Sequence, residues 1–178
     1  TPEKPLFSIE SIKNVRTLSD RFEKLDGVSD VLSYLDAPLL FSPKKSMSEL
    51  ADNLKTIEEE GVDLNLAKQE FQDSPLYTEL LVSKDAKTTA LQLNLNESEE
   101  YDAAIQKRYQ LRQELVEGGE ENIEEQIIQV NSLISALNNQ EAKDRDKLIA
   151  EVREILRDSS EFGSLYLGGT AMIASDMM

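Results

Sequence analysis

Apolar residues recur three and four positions apart through Ile9, Ile12, Val15, Leu18, Phe22 and Leu25, with Ser8 placed to cap the run and Gly27 to stop it. This period predicts an amphipathic helix over 8–25. The stretch VSDVLSYL that follows is rich in β-branched and aromatic residues and ends at Asp36-Ala37-Pro38, which predicts a strand over 28–35. Beyond it Met47, Leu50, Leu54 and Ile57 share one helical face behind a capping box of Ser46 and Glu49, so a helix is expected up to Gly61. A shorter helix over 63–72 stops ahead of Pro75. Both are expected to cover the core rather than build it.

In YTELLVSKDAKTTALQLNLN two β-rich runs flank the polar turn Lys84-Asp85-Ala86-Lys87. The second run alternates, with Thr89, Leu91, Leu93 and Leu95 on one face and Thr88, Ala90, Gln92 and Asn94 on the other. A hairpin with one buried face follows from that period of two, and Thr88, Gln92 and Asn94 are the candidate contacts for cargo or a neighbouring domain. From Asn96, which can cap with Glu99, a long helix carries Tyr101, Ala104, Ile105, Tyr109 and Leu115 as far as the break at Gly118-Gly119.

Ile123, Ile127, Val130, Ile134 and Leu137 then step alternately by four and three, the seam of a helix that pairs with another helix. Its expected partner is 141–157, with Leu148, Val152, Ile155 and Leu156 facing in and Asn138-Asn139 as the turn, making a helical hairpin inserted over about 118–157. The same seam allows a second reading, a soluble helical adaptor that binds a partner helix or a second copy of the chain. A last strand is expected over 164–167. After Gly168-Gly169 the residues TAMIASDMM read as the start of another helix.

Composition narrows the chemistry. The 178 residues fit one domain of ordinary size, long enough to bury a core without metal or disulfide. Nineteen basic against thirty-five acidic side chains leave a net charge of -16, with no basic cluster denser than Lys44-Lys45, which argues against nucleic acid and anionic membrane surfaces. There is no cysteine and no histidine. The first removes thiolate chemistry, the second removes the usual general base near neutral pH and the commonest metal ligand. The acidic groups Glu58 to Glu60, Glu97 with Glu99 and Glu100, and Glu120 with Glu121, Glu124 and Glu125 sit near helix ends, where carboxylates favour the dipole and solvent. DLNLAKQEFQD lacks the central glycine and terminal Glu of a calcium loop, and Gly168-Gly169 belongs to no phosphate-binding motif. No catalytic residue, cofactor or metal is assigned.

Three stretches, PLFSIESIKNVRTLSDRFEKLDGVSDVLSYLDAPLL, LYTELLVSKDAKTTALQLNLN and EVREILRDSSEFGSLYLGGTAMIASDMM, resemble in order and texture the extracytoplasmic porter region of exporters of the resistance-nodulation-division (RND) superfamily, including those of MMPL type. Gly27, Val28, Val31, Ser33, Leu81, Val82, Ser83, Asp85, Thr89, Gly169 and Asp176 fall on the positions that carry it. The resemblance implies an α+β fold, a ferredoxin-like α/β sandwich with an antiparallel sheet whose first strand would precede the polar residues 1–4. It implies a periplasmic portion of an inner-membrane protein that shapes a route for lipidic or amphiphilic cargo without catalysis. Its partners would be the other porter domain and the transmembrane helices of the same polypeptide. The low-charge tail reads accordingly as a strand handing over to a membrane helix.

Overall fold

The computed structural model describes residues 4–40, 54–118, 122–170 and 172–173. Among them are four α-helices and one two-stranded antiparallel sheet, an α+β protein. The capping box of Ser46 and Glu49, with Met47 and Leu50, lies outside the described residues.

Helix α1, Ile9–Phe22, begins where Ser8 Oγ accepts the Ser11 N–H at 3.2 Å. It buries Ile12, Val15, Leu18 and Phe22 of the predicted stripe, while Ile9 is 67% exposed and Leu25 lies beyond the end of the helix. Gly27, at φ 90°, turns the chain into β1, Val28–Leu32. A side chain would be strained at that angle, which accounts for glycine there. β1 is shorter than the predicted 28–35 because Asp36 Oδ2 accepts both the Ser33 N–H (2.9 Å) and the Ser33 hydroxyl (2.8 Å), folding 33–36 into a turn.

β1 pairs antiparallel with β2, Gln92–Leu95, in the register Val28↔Leu95, Asp30↔Asn94, Val31↔Leu93 and Leu32↔Gln92. The register shifts between Val28 and Asp30, so Ser29 is the extra residue of a bulge, and its hydroxyl donates to the Asn94 carbonyl at 3.0 Å. Strict alternation would place Val28 and Val31 on opposite faces. The bulge lets both turn inward, and both are buried.

Helix α2, Leu64–Asp73, starts from Asp63, whose Oδ1 accepts the N–H groups of Asn65 (2.8 Å) and Leu66 (3.4 Å). The expectation that it merely covers the core is corrected. Phe71 is 0% exposed and lies between Phe7, Tyr34 and Tyr77, with ring centroids 5.6, 5.8 and 5.0 Å away. Edge-on and tilted rings at such separations attract beyond their buried area. Ala67 is fully buried in the same cluster, with Leu6, Leu35 and Leu39. Ahead of α2, described residues 54–61 form a bridge from Lys55 to Leu39 and turns ending at Gly61, not the helix expected there.

The hairpin around Lys84 to Lys87 keeps its turn but not its ladder. Thr78 and Thr89 each form an isolated bridge with Val82, and Gln92–Leu95 pairs with β1 instead. The strand expected over 164–167 is likewise corrected, since these residues join no ladder. Leu165 and Leu167 are half-buried while Tyr166 is 86% exposed, an alternation suited to a strand with no neighbour to bond.

The chain divides into two compact units, Thr1–Leu95 with Glu151–Gly168, and Asn96–Ala150 with Gly169–Met178. The first holds the sheet, α1, α2 and the aromatic cluster, and within it Arg21 Nη1 donates to Ser159 Oγ at 2.9 Å. The second holds α3, Glu99–Val116, capped by Ser98 rather than Asn96, with Ser98 Oγ accepting from the Tyr101 N–H at 3.2 Å. Helix α4, Ile123–Asp158, is continuous over 36 residues and passes through Asn138 and Asn139 without a turn. The inserted hairpin over 118–157 is thereby corrected. The alternation of four and three runs on from Leu137 through Glu141 and Asp144 to Leu148, so the phase of the seam continues across Asn138 and Asn139. Its partner is α3. Val130 and Leu137 of α4 share a groove with Glu100, Ala103, Ala104 and Lys107 of α3, as two antiparallel helices joined near Gly118 would.

Candidate functional site

The polar face of the sheet is the site the strand pattern singles out. Gln92 and Asn94 leave β2 on the side opposite Leu93; Gln92 is exposed and Asn94 half-buried, while Leu95, expected on the buried face, is exposed. Gln92 Nε2 donates to Asn94 Oδ1 at 2.8 Å, and Asn94 Nδ2 donates to Asp30 Oδ2 at 3.0 Å across the strand pair. Ser29 Oγ lies 3.2 Å from Asp30 Oδ1. The result is a row of amide, amide, carboxylate and hydroxyl, in which the two amides neither gain nor lose protons. It presents donors and acceptors to water or to a polar part of a neighbour. Sequence reasoning missed Ser29 and Asp30, although an Asp inside a β-rich run is a residue that strands disfavour.

Thr88, the third expected contact, sits elsewhere. It closes the turn before β2, where its N–H donates to Ser83 Oγ at 2.9 Å and its carbonyl accepts from the Ser83 N–H at 2.9 Å. Asp85 Oδ1 accepts from the Ser83 hydroxyl (2.7 Å) and the Lys87 N–H (3.1 Å). These bonds, the hydroxyl's foremost, hold the Asp85 carboxyl below its ordinary value of 3.8. Ala86 takes φ 52° and its methyl group is buried in the core. Ser83 and Asp85, two of the positions behind the family resemblance, thus have a structural task in shaping this turn.

Two carboxylates of the first acidic group, Glu58 and Glu59, are absorbed into structure. Glu58 receives Arg16 Nε on both oxygens, at 3.2 and 3.0 Å, and Arg16 Nη2 reaches Asp36 Oδ1 at 3.2 Å. The Glu58 hydrogen bond, working against burial and with help from Asp36, raises the Arg16 pKa. Glu59 Oε1 accepts from the Thr56 N–H at 3.1 Å. Glu99 and Glu100 occupy the first turn of α3. Among the described residues no group of three or more acidic, cysteine or histidine side chains could hold a metal ion. No helix among them is long and apolar enough to cross a membrane.

The seam residues face inward. Ile123 is 4% and Ile134 6% exposed, and Ile127, Val130 and Leu137 are half-buried. Beside them the groove shared with α3 encloses about 350 Å³. Of the aromatic residues outside the core cluster, Tyr109 and Tyr166 are exposed. No family model, no curated protein and no solved structure matches the chain.

Proposed function

We propose that the chain is a non-catalytic porter domain of an RND-superfamily exporter, on the extracytoplasmic side of an inner membrane. It builds a ferredoxin-like sandwich and shapes a route for lipidic or amphiphilic cargo by moving against the second porter domain of the same polypeptide. One observation carries this reading. The two stretches that bear the resemblance, GVSDV and TALQLNL, lie far apart in sequence yet pair antiparallel through Val28↔Leu95 and Val31↔Leu93. A helix precedes the first strand, and the end of α4 precedes the alternating residues 164–167. The described elements run helix, strand, helix, strand, helix, helix; the ferredoxin-like reading takes α1, β1, β2 and α4 as its frame and treats α2 and α3 as additions to it. The polar row on the outer face of the sheet lies where cargo or the second domain would pass.

A photoactivatable side chain at Gln92 of the intact, membrane-embedded protein tests the reading. Lipid-like probes should cross-link at Gln92 and not at Glu154 on α4. Equal yields at the two positions, or no adduct at Gln92, would overturn it.

A further inference from the structure

We propose that the groove between α3 and α4 is a contact surface for a second copy of this chain, forming an antiparallel four-helix arrangement. The inference goes beyond the transport reading and does not depend on it. The groove has an apolar floor, with Ala103 and Ala104 on α3 and Val130, Leu133 and Leu137 on α4. Leu133 is 50% exposed there, more than a leucine in a finished helix pair would be. Two alanines side by side let another helix approach closely.

The polar margin identifies the occupant. Glu100 lies three residues before Ala103 and Lys107 three residues after Ala104, while Val130 and Leu137 lie equally far on either side of the Leu133-Ile134 pair. A twofold axis lying in the plane of contact, across both helices at the level of these pairs, would set Glu100 of each copy against Lys107 of the other. It would likewise set Val130 against Leu137. Such an arrangement is self-complementary, as a twofold interface must be. Among the described residues neither Glu100 nor Lys107 forms an ion pair within its own chain. The chain carries a net charge of -16, which opposes indiscriminate self-association. The groove, with one acid and one base flanking an apolar centre, is balanced.

Sedimentation equilibrium on the 178-residue chain tests this directly. The small surface implies a transient dimer with a dissociation constant on the order of 10 µM. Glu100→Lys and Lys107→Glu each bring like charges together at two symmetric places and should weaken the dimer roughly ten-fold. The double variant restores opposite charges and should return to within about two-fold of the wild type. Leu133→Glu should leave a monomer whose circular dichroism still shows the full helix content. A wild type that remains monomeric up to about twenty times the expected dissociation constant would overturn the proposal. So would a double variant no better than either single one, or a dimer that survives Leu133→Glu.

Discussion

Phe71→Ala is the perturbation that probes the first unit most sharply. The ring is fully buried and meets three others at centroid distances of 5.0, 5.6 and 5.8 Å. Removing a buried phenylalanine costs about 3–5 kcal/mol through lost transfer energy and the cavity left behind. Ring pairs add about 0.5–1.5 kcal/mol each beyond area, although three pairs around one ring do not sum. The expected loss is therefore about 4 kcal/mol. Phe71→Leu, which fills most of the volume but removes the ring contacts, should lose about 1.5 kcal/mol. Urea unfolding read by near-ultraviolet circular dichroism is the assay, because Tyr34 and Tyr77 report from the same cluster. With a slope of about 2 kcal/mol per molar, the midpoint should fall by about 2 M for alanine and about 0.75 M for leucine. Tyr166→Ala, at a side chain 86% exposed, serves as control and should shift stability by under about 0.5 kcal/mol. If Phe71→Ala cost under about 1 kcal/mol, the aromatic cluster would not be the core of this unit.

Asn139→Pro separates one long helix from a hairpin: inside α4 it should cost about 3 kcal/mol or more in thermal unfolding followed by helix signal, whereas a turn at that place would tolerate it. Burial raises the Tyr34 pKa above its ordinary 10.0, so the protonated folded state is favoured and its contribution is complete below about pH 10. That contribution is lost as pH rises toward the folded value, because the unfolded chain ionises first. Tyr34→Phe, which removes the hydroxyl donated to the Leu6 carbonyl at 3.1 Å, should cost about 1 kcal/mol at pH 8. Chemical denaturation should show that deficit shrinking above about pH 10, and a constant deficit would contradict the assignment. A carboxyl titration by nuclear magnetic resonance should place Asp85 below 3.8, and Ser83→Ala should move it upward by removing the largest cause.

Local chemistry was the legible part of this chain. Ser8 caps α1 as expected because its side chain satisfies the Ser11 amide three residues away, a contact that can be read from a short window. The alternation over 88–93 was legible too, but it breaks within β2, where Asn94 is half-buried and Leu95, expected on the buried face, is 40% exposed. What escaped depended on partners distant in sequence. Ser29 is inserted as a bulge opposite Asn94, and only that pairing explains why Val28 and Val31 both turn inward. Phe71 looked like one apolar residue on a short helix until Phe7, Tyr34 and Tyr77 surrounded it. The turn placed at Asn138-Asn139 rested on two weak helix formers, each costing only a few tenths of a kcal/mol. The heptad phase running on to Leu148 already favoured a continuous helix. The polar row was half visible, since Gln92 and Asn94 follow from period two while Asp30 joins them only through the antiparallel register.

The proposed function places these residues outside a membrane as part of an exporter. A single cysteine at Lys84, in the exposed turn and with the rest of the parent protein free of cysteine, tests that placement. In intact spheroplasts a membrane-impermeant maleimide should label the site as fully as it does after lysis. Labelling that appears only once the membrane is broken, or recovery of the parent protein in the soluble fraction, would contradict the claim.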